Sequence, residues 1–199
     1  MTKTIDFYFD FASPNCYLAA KALPAIANEI RAEIIIRPVL LGGIFKATNN
    51  QAPMQAFANV KGKLAYDMLE IRRFVERHGL SAFQMNPNFP INTLPLMRAL
   101  IAAQEAGVAE AYIDAGLKGM WEEGLAMGDP DIAKARIAEA GVDADALFQR
   151  AQTPEIKQKL IDDTSAAVDR GIFGLPTFFV GDEIFFGKER LEQVREAAA

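Results

Sequence analysis

A β-α-β unit at the start of the chain, a β-β-α unit at its end and a succession of helical segments between them predict an α/β fold, in which the two ends build one open sheet. Thr4 to Phe9 reads Thr-Ile-Asp-Phe-Tyr-Phe, β-branched and aromatic residues that suit a strand. Ser13-Pro14 then marks a helix start: a hydroxyl at the N-cap, followed by a ring whose missing N–H costs nothing at the first helical position. Leu18, Ala19, Leu23, Ala27 and Ile30 recur at helical spacing, and Glu33 to Arg37, with three isoleucines, reads as a buried strand ending at Pro38. A crossover of this kind implies a parallel pair, and in open sheets ligands sit at the carboxyl ends of such strands, where Ser13 lies.

The middle of the chain holds almost no strand candidates. Leu41 to Gly62, rich in Gly, Asn, Gln and Pro, reads as a long loop bordering the site. Ala65 to His78, closed by Gly79, has helical periodicity; Asn92-Thr93 caps a second helix running towards Gly107, and Val108 to about Ala126 carries a third. Asp129-Pro130 and Thr153-Pro154 repeat the cap-plus-proline pattern. Strand chemistry returns at Thr177 to Val180, and Gly181-Asp182 before Glu183-Ile184-Phe185-Phe186 predicts a tight hairpin, with Lys188 to Ala198 closing the chain as a helix. The element order is that of a thioredoxin-like fold with a large all-helical insertion: residues 1–40 and 166–199 form the discontinuous thioredoxin-like domain, and 41–165 the insertion with its bordering loop.

Composition narrows the function. The 199 residues are 51% hydrophobic and 24% charged, and 21 Lys and Arg against 26 Asp and Glu leave a net charge of −5, without the basic stripe that nucleic acid requires. Every apolar run is broken well before the roughly 18 residues of a membrane helix, and the first six residues carry no signal-peptide pattern, so a cytoplasmic protein with no membrane partner is expected. With Cys16 and His78 single in their kind, the chain cannot form an internal disulfide or a cysteine-rich metal site, and no metal is expected.

Ser13-Pro14-Asn15-Cys16 has the spacing of a Cys-x-x-Cys redox motif with serine at the attacking position, which excludes dithiol exchange. What remains is a hydroxyl donor at a helix N-terminus, a place that stabilises an anion such as an external thiolate. A thiol of pKa about 8.5 needs about 2.7 kcal/mol to fall by two units. The helix terminus supplies about 0.3–2 kcal/mol and a hydrogen bond to a charged group about 1.5–3, so together they suffice. Spacing alone equally allows Ser13 to be only a cap, and Cys16 one turn in suits a small buried apolar residue. A serine hydrolase would want glycines around Ser13 and a base, and His78 sits at a helix end before Gly79 instead. Gly174-Leu175-Pro176-Thr177 enters a strand; a cis bond there would present the Leu175 backbone to an extended ligand, whereas a trans proline would merely limit the strand. Lys188 and Glu189 at the last helix start offer groups for a carboxylate and an amine, and Lys46, Asn49, Asn50 and Lys61 offer polar and cationic groups from the long loop.

Phe9-Asp10-Phe11-Ala12-Ser13-Pro14 with Tyr17-Leu18-Ala19, Pro38 to Lys46, Gly174-Leu175-Pro176-Thr177-Phe178 and Gly187-Lys188-Glu189-Arg190-Leu191 together resemble the 2-hydroxychromene-2-carboxylate isomerases, relatives of the kappa-class glutathione transferases. The likeness spans essentially the whole chain, and Phe89-Pro90-Ile91-Asn92-Thr93-Leu94 points to the isomerase branch. The resemblance implies a homodimer that holds reduced glutathione as a cofactor that is not consumed and acts on a small aromatic carboxylate. The family reaction interconverts 2-hydroxychromene-2-carboxylate and trans-o-hydroxybenzylidenepyruvate in naphthalene breakdown, where transient thiolate addition leaves a single bond free to turn. By the same resemblance Ser13 is the catalytic residue facing the glutathione sulfur, Leu175 before a cis Pro176 clamps the cysteinyl unit, Lys188 and Glu189 meet the γ-glutamyl end, and Asn50 and Lys61 lie near glutathione. Lys46 or Lys61 is expected to hold the substrate carboxylate, with Phe11 and Phe45 flanking its ring. Glu189 departs from the usual aspartate, and Phe186 stands where the isomerases often have Trp. The same scaffold would also suit a kappa-like transferase or peroxidase acting on another electrophile, an idle binding module in which Ser13 only caps, or a monothiol protein using Cys16.

Overall fold

Four strands make one sheet in the order β2-β1-β3-β4 in the computed structural model, which describes residues 3–199. β1 (Thr4–Phe9) runs parallel to β2 (Glu33–Pro38) through the crossover helix α1 (Pro14–Ile30), and antiparallel to β3 (Thr177–Val180), which turns back into β4 (Glu183–Phe186). The hairpin turn is Gly181-Asp182, with Gly181 at φ +60°, a left-handed conformation glycine adopts without steric cost. A 3-10 turn, Lys188–Arg190, leads into the terminal helix α10 (Leu191–Ala198). The two ends of the chain thus close a thioredoxin-like sheet, as the element order predicts. Its isoleucine strand, however, is the edge strand: among the described residues no strand pairs with the outer side of β2, and Ile34, Ile35 and Ile36 are only half-buried.

Between the ends lie α2 (Leu41–Ala47), α3 (Pro53–Ala56), α4 (Lys63–His78), α5 (Leu94–Glu105), α6 (Ala109–Trp121), α7 (Pro130–Ala138), α8 (Ala144–Arg150) and α9 (Pro154–Asp169). The stretch expected to be a loop from Leu41 to Gly62 therefore carries two short helices. α6 stops at Trp121, five residues before the expected end, where the chain turns through Gly124 at φ +67°. The expected domain boundary at 165/166 falls inside α9, which runs unbroken because it packs on α2 and α5 of the insertion and on β2 of the sheet at once. Among the described residues no helix is long and apolar enough to cross a membrane.

The caps follow the local sequence: Asp129 Oδ1 accepts from Asp131 N at 2.9 Å, Thr153 Oγ1 accepts from Ile156 N, and Gly79 closes α4 at φ +66°. α5 is apolar nearly all round, with Leu96, Met97 and Ala99 to Ala103 buried, and forms the axis of the helical block. A run of aromatic rings joins that block to the sheet: Phe178 packs on Phe7 at 5.0 Å, Phe7 on Phe9, Phe9 on Phe11 at 4.9 Å, and Phe11 on Tyr112 of α6 at 6.0 Å. α6 approaches Phe11 through Gly116, where an added Cβ would lie 2.6 Å from the ring.

Gly116→Ala should therefore destabilise the protein by about 1–2 kcal/mol, since overpacking by about 1–3 kcal/mol outweighs the gain of up to about 1 kcal/mol in helix propensity. Gly119→Ala meets the flexible thioether of Met127 and should cost less. Urea unfolding of both variants checks the order, and a more stable Gly116→Ala would show that Phe11 is not held against α6.

Candidate active site at the start of the first helix

Ser13 occupies the N-cap of α1 in extended conformation, φ −97° and ψ 117°, with Pro14 at the first helical position. Its hydroxyl oxygen accepts from Cys16 N at 3.2 Å and donates to the Leu175 carbonyl at 3.3 Å. Only 4% of Ser13 is exposed. The Leu175–Pro176 bond is cis, and the Pro176 carbonyl accepts from Gly187 N at 2.9 Å, which seats the Lys188–Arg190 turn beside the same loop. Two polar groups here lack partners among the described residues, the Leu175 N–H and the buried Oδ1 of Asn15. Cys16 is fully buried, and burial pushes its thiol up to about 12. It is an inert apolar side chain at neutral pH.

One decisive residue escaped the sequence reading. Asp10 is completely buried three residues before Ser13, and its carboxylate ties its own loop to two distant segments. Oδ1 accepts from Ala12 N at 2.9 Å and from the Thr93 hydroxyl at 2.6 Å, and Oδ2 accepts from Leu41 N at 2.8 Å. Burial raises its pKa above the ordinary carboxylate value, and the hydrogen bonds from Ala12, Thr93 and Leu41 oppose the rise without cancelling it. The Ala12 bond is an Asx turn, a signal available in Asp10-Phe11-Ala12. Thr93 and Leu41 carried no such signal. Thr93 stands at the N-cap of α5, yet its hydroxyl serves Asp10, while Asn92 Oδ1 accepts from Leu94 N at 3.1 Å.

The other expected site residues fall into four groups. Leu175 and Pro176 adjoin Ser13, and Asn50 reaches the same loop from the segment after α2, its side-chain amide donating to the Phe173 carbonyl at 2.9 Å. Lys188 is 3% exposed and pairs with the carboxylate of its neighbour Glu189; its ammonium lies 5.5 Å from the Phe74 ring, in a cleft with Arg77 and His78 that Ser13 does not line. His78 stacks on Phe74 at 4.2 Å in that cleft, where burial and then Arg77 lower its pKa; because Ser13 does not line the cleft, His78 is no base for it. Phe45 is half-buried on α2, Lys46 is exposed in its last turn, and Lys61 is exposed before Gly62; neither lysine has an ion-pair partner among the described residues. Phe11 is a correction. It is fully buried between Phe9, Tyr112 and Gly116, and its carbonyl accepts from Trp121 Nε1 at 3.0 Å, so it braces the Asp10–Ser13 loop and cannot flank a substrate ring.

A family profile described as DSBA-like thioredoxin domain matches residues 4–199. The chain belongs to that family. Within it the chain groups with the 2-hydroxychromene-2-carboxylate isomerases and their kappa-class glutathione transferase relatives. It is 31% identical over 194 residues to 2-hydroxychromene-2-carboxylate isomerase of Sphingobium xenophagum, covering 96% of both chains. It is 25% identical over 215 residues to glutathione S-transferase kappa 2 of Caenorhabditis elegans, covering 99% of this chain and 92% of the relative. A solved 2-hydroxychromene-2-carboxylate isomerase superposes with a TM-score of 0.81 at 28% identity, over 98% of this chain and 93% of the other. This DSBA-like chain thus keeps the scaffold with Ser13, not a cysteine, at the head of α1.

Because the Asp10 carboxyl is harder to ionise in the folded chain than in the unfolded one, its contribution to stability is fully present below the unfolded value and is lost as pH rises through the raised folded value. The stability difference between wild type and Asp10→Asn should therefore be most favourable to wild type at the acid end and decline as pH rises from 3 to 7. Urea unfolding across that range tests this, and parallel curves for the two proteins would refute it.

Proposed function

We propose that the protein is a glutathione-dependent isomerase that interconverts 2-hydroxychromene-2-carboxylate and trans-o-hydroxybenzylidenepyruvate in the breakdown of naphthalene-type aromatics, working as a cytoplasmic homodimer. The observation that carries the reading is the pairing of an inert thiol with an active hydroxyl position. Cys16, the chain's one sulfhydryl, is buried with its pKa at about 12, while Ser13 stands at the helix start beside the Leu175–Pro176 loop. The isomerase relatives support the isomerisation, and the kappa-class glutathione transferase relatives support chemistry based on glutathione.

The residues present fit the tripeptide at its thiol end. The unpaired Leu175 N–H beside Ser13 offers an extended backbone a donor. When bound, glutathione supplies a thiolate that adds reversibly to a conjugated substrate and so frees a carbon–carbon bond to rotate. Ser13 turns its hydroxyl from the Leu175 carbonyl towards that sulfur and, with the α1 N-terminus, holds it ionised. Lys188 and Glu189 receive the γ-glutamyl carboxylate and ammonium once they exchange their mutual pair for the ligand's charges. Asn50 and Lys61 border the tripeptide. Lys46 holds the substrate carboxylate, and Phe45 lies against the ring.

A second reading, a kappa-like transferase or peroxidase, is favoured by the kappa-class relatives, which span nearly the whole chain. One assay pair separates the two: isomerisation of the chromene that stops when glutathione is withdrawn supports the first, and conjugation of an aryl halide without isomerisation supports the second. Ser13→Ala should lower turnover about 10–100-fold and raise the pKa of bound glutathione by about 1–2 units, read as thiolate absorbance against pH, for the loss of one charged hydrogen bond. Turnover that persists without glutathione overturns both readings.

A further inference from the structure

α2, α5 and α9 enclose a second cleft, of about 180 Å³, that neither Ser13, Leu175, Pro176 nor the Lys188–Glu189 pair lines. Leu40, Leu94, Leu160, Ile161 and Val168 make its walls apolar. Two cations, Arg98 and Lys157, are set into those walls, and none of the lining residues is acidic. Three of the four carboxylates of α9 are engaged elsewhere, Glu155 with Arg150, Asp163 with Lys159, and Asp162 as acceptor for Gln158, and the fourth, Asp169, does not line the cleft. Arg98 Nε is buried with no hydrogen-bond partner among the described residues. A buried donor without an acceptor calls for a partner, and Arg98 is a cation on the wall of this cleft.

We propose that this cleft is a ligand site for a small amphipathic monocarboxylate, distinct from the site at Ser13. The guanidinium fork of Arg98 matches a carboxylate in two parallel hydrogen bonds and so satisfies the orphaned Nε. Lys157 adds a second positive charge. The apolar walls take the hydrocarbon body, and a volume below the roughly 300–1,000 Å³ of drug-sized sites limits that body to one ring or a short branched chain. Inorganic phosphate offers the charge without the body and lacks the apolar burial. The floor of the cleft is ordered before any ligand enters, because the Thr164 hydroxyl accepts from Leu40 N at 3.0 Å and donates to the Leu160 carbonyl at 2.6 Å. The site stands or falls independently of the glutathione reading.

Benzoate titrated into the full-length protein, followed by amide NMR shifts and calorimetry, tests the proposal. Saturable shifts centred on α5 and α9 are expected, with benzylamine silent and inorganic phosphate much weaker. Arg98→Gln should weaken benzoate binding by about tenfold or more, the equivalent of one charged hydrogen bond, and Ser13→Ala should leave it unchanged. Lys157→Glu, on a half-exposed side chain, places an acid in the cleft and should weaken binding even if Arg98→Gln fails to fold. The proposal is overturned by benzoate shifts confined to Ser13 and Leu175, by Lys157→Glu binding as tightly as wild type, or by no binding at all. A benzoate-insensitive protein that Ile161→Arg converts from dimer to monomer would also overturn it, and would assign the cleft to a second copy of the chain.

Discussion

The arrangement at the head of α1 depends on one buried carboxylate. Burying an ionised group is expensive unless its lone pairs are filled, and Asp10 fills them with donors from residues 12, 41 and 93. Those three segments are the connection from β1 to α1, the start of α2 and the start of α5. Each could take several paths over the sheet on its own. Joined at Asp10, they converge on one point at the carboxyl end of β1, and Ser13 follows because its backbone N–H donates to the Asp10 carbonyl at 3.3 Å. Trp121 and Phe11 complete the brace from the helical block.

That brace has an electrostatic consequence. Where Asp10 is ionised, its charge opposes any thiolate placed at Ser13, and the helix terminus and the serine hydroxyl then have to outweigh it as well as the ordinary cost of ionising a thiol. The raised pKa of Asp10 reflects the same low-polarity surroundings that suppress Cys16. Under the proposed glutathione reading, two sulfur positions one turn apart have opposite fates. The one at Cys16 lies inside the packing of α1, and the position faced by Ser13 lies at the helix end, where backbone N–H groups point outwards.

The helical insertion is more than an ornament on the sheet. α5, buried on nearly every side, delivers Thr93 to Asp10 at its first turn and Arg98 to the second cleft one turn later. α9 spans both parts of the molecule, lending Thr164 to the amide of Leu40, while the next amide, that of Leu41, goes to Asp10. Consecutive backbone donors at the start of α2 thus connect the two candidate sites through one short stretch of chain.

Local chemistry written in neighbouring residues was legible from the sequence: the Ser13-Pro14, Asp129-Pro130 and Thr153-Pro154 caps, the Gly79 stop, the Gly181-Asp182 hairpin and the β-α-β and β-β-α order all depend on interactions a few residues long. The same holds for the inertness of Cys16, whose place in the apolar stripe of α1 foretells burial. Only the tertiary structure decided that the isoleucine strand lies at an edge, that Phe11 is a core ring, that Thr93 serves Asp10 instead of its own helix, and that a buried Lys188 pairs with its neighbour Glu189. Each of these turns on partners chosen by packing, often from far along the chain. Periodicity and propensity report the backbone's local preferences, whereas a side chain's role is set by what the completed fold leaves beside it.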